Sequence, residues 1–198
     1  EVRIGRWLSI DPVAHYHMSS YQSFNNNPIL IIDPAGSIGR IYYGEIDENG
    51  NQAYFDFDGT NEIDAPDNEF VRQVIETYYH NLMGYMNSGH VGGDATVRLF
   101  EGPDVVGIRQ NSSFYSAHYH SPAQNTIYYN PNAGIVTNEG VVMSPATIFD
   151  HEAEHALDDD PNKDKIDNEF GKHSERRIIT GPEQETARAN GEIGEGQV

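Results

Sequence analysis

With 198 residues the chain is long enough for one medium domain with a real core, or one domain plus an appendage. Its 31 acidic and 12 basic residues leave a formal charge of -19, which repels phosphate backbones and argues against nucleic acid or an anionic membrane as the primary partner. There is no cysteine, so disulfides and Cys-type metal sites are excluded, and no stretch reads as a signal peptide or a transmembrane helix.

The first 36 residues differ from the rest. Gly5-Arg6-Trp7-Leu8-Ser9-Ile10-Asp11-Pro12 is followed by Asn25-Asn26-Asn27-Pro28 and Ile32-Asp33-Pro34-Ala35-Gly36. Asp-Pro and Asn-Pro pairs are turn formers, and the short apolar runs between them read as strands joined by tight turns. This pattern resembles the closing segment of the RHS-repeat-associated core, a β-cage that precedes a variable C-terminal toxin. In that family the P-x-x-x-x-D-P-x-G-L element marks self-cleavage. Pro28, Asp33, Pro34 and Gly36 match it, and Ser37 stands where leucine is usual. The resemblance makes Asp11 and Asp33 the carboxylates to consider for self-cleavage; as ordinary residues they cap turns.

From residue 37 onward the sequence reads as an independent α+β domain. Arg40–Ile46 and Ala53–Phe57 flank an Asn-Gly turn, the signal of a hairpin. Phe70, Val71, Val74, Ile75, Tyr78, Leu82 and Tyr85 recur at helical spacing, which predicts an amphipathic helix from Asn68 to about Met86. Thr96–Glu101, Val105–Arg109, Ser113–His118 and Thr126–Tyr129 read as strands. Ser144-Pro145 is an N-cap followed by an N1 proline, opening a helix that runs to about Asp158 and stops before Pro161. Residues 163–178 read as irregular or partly helical. Gly181-Pro182 opens a last short helix through Asn190, with Gly191 as its stop and a frayed tail beyond.

The predicted helix after Ser144 carries His151-Glu152-Ala153-Glu154-His155, an H-E-x-x-H motif. Histidines four apart share a helical face, so both imidazoles can reach one Zn²⁺, and the carboxylate between them sits where a general base belongs. His151 and His155 are therefore the expected metal ligands and Glu152 the expected base. Asp150, Glu154 and Asp158 read as a solvent-facing stripe of the same helix.

Catalytic zinc needs a third protein ligand. The metzincin pattern H-E-x-x-H-x-x-G-x-x-H would put its glycine at Asp158 and its third ligand at Pro161, which excludes that class. A glutamate on a following helix is next. Glu183 is the first candidate, because Thr186 and Ala187 beyond it are small enough for close helix approach; Glu185 is the alternative, and His173 or an aspartate remains open. Glu183 and Glu185 lie two apart on a helix, so only one of them can face the metal. His118, His120, Tyr128, Tyr129 and His173 are candidates for transition-state stabilisation, His118 and His120 also form a strand-type i, i+2 pair, and Asp158 or Glu175 is a candidate to orient a ligating histidine. Thr126–Tyr129 is the candidate edge strand for substrate.

The order of a mixed sheet, an H-E-x-x-H helix and a later Glu-bearing helix is that of zincin metallopeptidases. From Asp150 to Glu192, the run D-H-E-x-x-H-A-L-D, then E-R-R-I-I-T-G-P-E-Q and A-x-x-N-G-E, resembles the NleD-like effector metallopeptidases and related toxin peptidases fused to RHS cores. The resemblance implies a gluzincin-type zinc endopeptidase, delivered into a target cell as part of a larger RHS protein. It also implies a protein substrate, a cognate immunity protein and an RHS shell as partners. A zinc amidase acting on cell-wall peptide and a catalytically silent acidic binding module are the rival expectations.

Overall fold

The computed structural model describes residues 38–102, 104–113, 118–137 and 140–194. The expectations for residues 1–36, Asp11 and Asp33 among them, lie outside the described residues, as does the tail from residue 195.

The expected hairpin is present as β1 (Ile38–Ile46) and β2 (Gln52–Phe57). Asp47 organises its turn: Oδ1 accepts the Asn49 and Asn51 amides at 2.9 and 2.7 Å. The expected long helix is α1 (Glu69–Asn87), with the Asn68 side chain capping the Val71 amide and Phe70, Val71, Val74, Ile75 and Tyr78 buried along one stripe.

Thr96–Glu101, expected as a strand, is instead part of α2 (Asp94–Glu101). Its Thr-Val-Arg-Leu-Phe run alternates as a strand would, but Ala95, Thr96, Leu99 and Phe100 also lie at helical spacing, and all four are buried. Gly93, at φ 82°, turns the chain into the helix. An Asp94–Arg98 ion pair at 3.0 Å then bridges its first and last turns.

Three strands follow: β3 (Val105–Gln110), β4 (Tyr119–Ser121) and β5 (Thr126–Tyr129). Of the strand expected at Ser113–His118, residues 114–117 lie outside the described residues, and neither Ser113 nor His118 is in a strand. The sheet order is β2-β1-β3-β5-β4. β1, β3 and β5 run parallel, and the two outer strands are antiparallel to their neighbours. Thr126–Tyr129 is thus an inner strand, not the expected edge; β4 holds that place. The register aligns Phe55, Ile41, Ile108, Ile127 and His120 in one row across the sheet. Ile41, Ile108 and Ile127 are fully buried under the helices, so the same row brings His120 to the inner face at the sheet's edge.

The two-stranded pair β6 (Ile135–Val136) and β7 (Val142–Met143) leads into α3 (Pro145–Leu157), the helix of the H-E-x-x-H motif. Its start is as expected, with Ser144 Oγ accepting the Thr147 amide at 3.3 Å and Pro145 in the first turn. Phe149 and Ala153 are fully buried, and the Phe149 ring meets Tyr129 edge-on at 4.9 Å. Beyond α3, the segment expected to be irregular or partly helical contains a small hairpin, β8 (Ile166–Asp167) and β9 (Gly171–Lys172), and then α4 (His173–Ile179). The last element is α5 (Pro182–Ala189), and Gly191 follows at positive φ. The described chain is a mixed α+β structure, its helices packed on a small mixed sheet.

Candidate metal centre

Four residues apart on α3, His151 and His155 project from one face, and their rings lie 4.8 Å apart. Their Nε2 atoms are separated by 3.1 Å. Glu175 of α4 closes the third corner: its Oε1 is 3.1 Å from His155 Nε2 and its Oε2 is 3.6 Å from His151 Nε2. Tetrahedral zinc, with bonds of about 2.0–2.1 Å, sets its donors roughly 3.3 Å apart. The two Nε2 atoms stand near that spacing, and Glu175 comes within 3.1–3.6 Å of them through its two different oxygens. Among the described residues this is the group of His and carboxylate side chains that could hold a metal ion.

Glu183 is in a different place from the one expected. Its Oε2 accepts a hydrogen bond from Nδ1 of His151, on the far side of the ring from the paired Nε2 atoms. Glu175, expected to orient a histidine, presents its carboxylate to those Nε2 atoms instead. The helices' crossing points explain the exchange. α5 packs on the first half of α3 through buried Thr186 and Ala187, one turn beyond Glu183. α4 crosses the second half, where Arg177 pairs with Glu154 at 3.4 Å and with Asp158 at 3.0 Å. Arg176 meanwhile ties α4 to the β8–β9 hairpin through Asp167 at 3.0 Å. Glu185 points away and pairs with Arg188 at 3.2 Å. His173 is exposed at the start of α4, two residues from Glu175 and therefore on another face.

The expected solvent-facing stripe of α3 is also corrected. Asp150 and Glu154 are only 1% and 7% exposed. Glu154 lies between Arg98 of α2 and Arg177 of α4, and Asp158 is engaged with Arg177 rather than orienting a histidine. Asp150 accepts three hydrogen bonds from Thr96 and Thr186. Paired charges and satisfied acceptors are what make such burial tolerable.

Glu152 is 9% exposed, and its Oε2 accepts the His120 backbone amide of β4 at 2.8 Å. Burial pushes its carboxyl upward in pKa, while the charges of His151 and His155 pull it back. His120 itself is driven down to about 4, by burial first and then by the charge of His155, so its ring is neutral. Its Nε2 has no hydrogen-bond partner among the described residues. His118 lies outside any strand and donates from Nε2 to the Ala133 carbonyl at 2.6 Å; it does not join His120 as a metal pair. Tyr128 faces the opposite side of the sheet, stacks on Tyr119 at 4.6 Å and donates to Gln124 at 2.6 Å. Tyr129 is buried in the core, its hydroxyl 2.8 Å from that of Thr77.

For His151, burial disfavours the charged ring, but the neighbouring carboxylates of Glu175 and Glu183, the latter hydrogen-bonded to Nδ1, outweigh it and lift the pKa to about 10. Those same histidines hold Glu175 far below the usual carboxylate range. The two carboxylates thus favour the protonated form of the His151 ring in this half-buried cluster. A cation that takes Nε2 must displace a proton.

Three groups at the site were not assigned their observed places by sequence reasoning: Glu175 at the Nε2 pair, Arg177 as the clamp on α4, and the Asp150–Thr96–Thr186 network. A signal for Glu175 existed, since Ile178 follows it by three residues and buries the same flank of a short helix.

Compared with protein-family models, with curated proteins and with solved structures, the chain has no match. No described helix is long and apolar enough to cross a membrane.

Proposed function

We propose that the chain is a zinc-dependent endopeptidase with a zincin-like, gluzincin-type arrangement, its ion held by His151, His155 and Glu175. The single observation that carries this reading is the three-donor corner, two imidazole nitrogens and a carboxylate spaced 3.1 to 3.6 Å apart beside a buried glutamate. The donor set fits zinc: neutral imidazoles and a carboxylate are its usual catalytic ligands, and three protein ligands leave a coordination position for water. Glu183 supports the reading from behind, because a carboxylate on Nδ1 fixes the ring and the tautomer that presents Nε2 to a metal.

Zinc at this place supplies Lewis acidity and brings the pKa of water down to about 7. The chain's own residues do the rest. Glu152 accepts the proton from the attacking water, whose oxygen adds to the scissile carbonyl carbon. When the C–N bond breaks, Glu152 gives that proton to the leaving nitrogen. A carboxylate already raised in pKa by burial is suited to both halves of this exchange. To His120, whose ring is neutral and whose Nε2 has no hydrogen-bond partner among the described residues, we assign donation to the oxygen that gains charge.

The likeness of residues 1–36 to an RHS core end supports a wider proposal. The peptidase is the C-terminal toxin of an RHS-type protein, delivered into a target cell and held in check by an immunity protein. The net charge of -19 supports a protein substrate over nucleic acid.

The test is expression of the full chain, wild type against Glu152→Gln, in a bacterial cytoplasm, with mapping of new protein termini. The proposal expects new termini and growth arrest only with the wild type. Equal toxicity of the variant rules out Glu152 as the base. Zinc uptake with no new protein termini, or with cleavage of wall peptide alone, rules out the endopeptidase.

A further inference from the structure

We infer that Asp150 is a positioning residue that sets, through Thr186, the helix register at which Glu183 meets His151. The inference rests on the zinc reading above but concerns a residue outside its ligand set.

Asp150 is almost wholly buried. Its Oδ1 accepts from the Thr96 amide and the Thr96 hydroxyl, both at 2.7 Å, and its Oδ2 accepts from the Thr186 hydroxyl at 2.7 Å. Thr186 Oγ1 in turn accepts the Gly93 amide at 2.8 Å. One carboxylate therefore ties α3 to the start of α2 and to the middle of α5.

A buried carboxylate is an expensive way to join three helices, and an apolar trio of similar shape holds helices together at lower desolvation cost. What hydrogen bonds add is direction. Apolar contacts tolerate sliding, whereas a hydroxyl held at 2.7 Å fixes both the translation and the rotation of α5. α5 needs such a constraint: Thr186 and Ala187 are its buried residues, and its N-cap, Gly181, makes no side-chain cap. Register matters because of sequence adjacency. Asp150 precedes His151 on α3, and Glu183 lies three residues before Thr186 on the same face of α5. Fixing the Asp150–Thr186 contact brings the Glu183 carboxylate to Nδ1 of His151. A hydrogen bond to that nitrogen orients the ring and makes Nε2 a better donor.

The test uses full-chain protein, Co²⁺ as the probe, and two readouts: the dissociation constant and the visible ligand-field spectrum. Thr186→Val keeps the shape of the side chain and removes the hydroxyl, and Thr186→Ser restores it. The inference expects Thr186→Val to bind Co²⁺ about tenfold more weakly with an altered spectrum, and Thr186→Ser to behave as wild type. Placed in a Glu183→Gln background, Thr186→Val should add little further loss, since its effect runs through that carboxylate. Asp150→Asn provides a second route should Thr186→Val fail to fold, with the same expected weakening. Wild-type affinity and spectrum in the variants, or losses fully additive with Glu183→Gln, overturn the inference while leaving the zinc reading intact. A wild-type protein that takes up no Co²⁺ overturns the zinc reading itself.

Discussion

Glu183 accepts a hydrogen bond from Nδ1 of His151, and that contact puts the glutamate first expected as a ligand behind the ring rather than in front of it. The front of the ring faces Glu175. Two carboxylates on two different helices thus engage the two nitrogens of one imidazole, and the pair fixes both what the ring presents and where it points.

This division of labour orders the glutamates by metal affinity. Removing a ligand should cost more than removing the residue behind it. Glu175→Ala is expected to weaken Zn²⁺ binding by at least about a hundredfold, Glu183→Gln by about ten- to a hundredfold, and Glu185→Gln not at all. Competition against a chromophoric chelator measures all three. A Glu183→Gln loss larger than that of Glu175→Ala would reverse the assignment.

Glu152→Gln should keep the zinc and lose the reaction. The amide oxygen can still accept the His120 amide, so β4 stays where it is. The amide nitrogen cannot take a proton from water. A fall in peptide hydrolysis of about 10²–10⁴-fold with unchanged zinc stoichiometry is expected, read by metal analysis and turnover on the same sample.

Asp150 makes stability depend on pH with a definite sign. Burial raises its pKa to about 6 from the ordinary aspartate value of 3.8, so the folded protein holds this proton more tightly than the unfolded chain. Stability from this group is greatest below pH 4 and falls as pH rises through the interval up to about 6, by about 3 kcal/mol at most. Urea unfolding of the metal-free protein between pH 4 and 8 should show that slope superimposed on other titrations. Asp150→Asn should lack it. An identical pH profile for the two proteins would contradict the assignment.

Gly93 is expected to be the least replaceable of the glycines near the site. It sits at φ 82°, and a Cβ there collides with the Asn81 carbonyl oxygen. Gly44 also has positive φ but opens onto empty space. Gly44→Ala should cost about 1 kcal/mol from backbone conformation alone, and Gly93→Ala clearly more, because α2 must shift to relieve the collision. Chemical denaturation midpoints compare the two directly.

Much of the fold is legible in local patterning. The Asn68 cap, the Ser144-Pro145 start and the Asn-Gly hairpin are decided by neighbouring residues, and each lies where its signal placed it. Over Thr96–Phe100 alternation and helical spacing coincide, so local pattern alone does not distinguish the strand from the helix found there. Gly93 and the packing of Leu99 and Phe100 against the sheet decide between them, and both are tertiary facts. At the site, spacing within one helix predicted that His151 and His155 share a face. The choice between Glu175 and Glu183 depends on which half of α3 each later helix crosses. That is set by Arg177 and by Asp150 with Thr186, contacts between residues distant in sequence.

The most direct test of the central claim is an anomalous-scattering map at the zinc absorption edge from crystals of the purified full chain. One strong peak is expected within about 2.0–2.3 Å of His151 Nε2, His155 Nε2 and a Glu175 oxygen, with Glu183 still bonded to Nδ1. A peak ligated by Glu183 in place of Glu175, or no peak at the His151–His155 pair in zinc-replete protein, would contradict it.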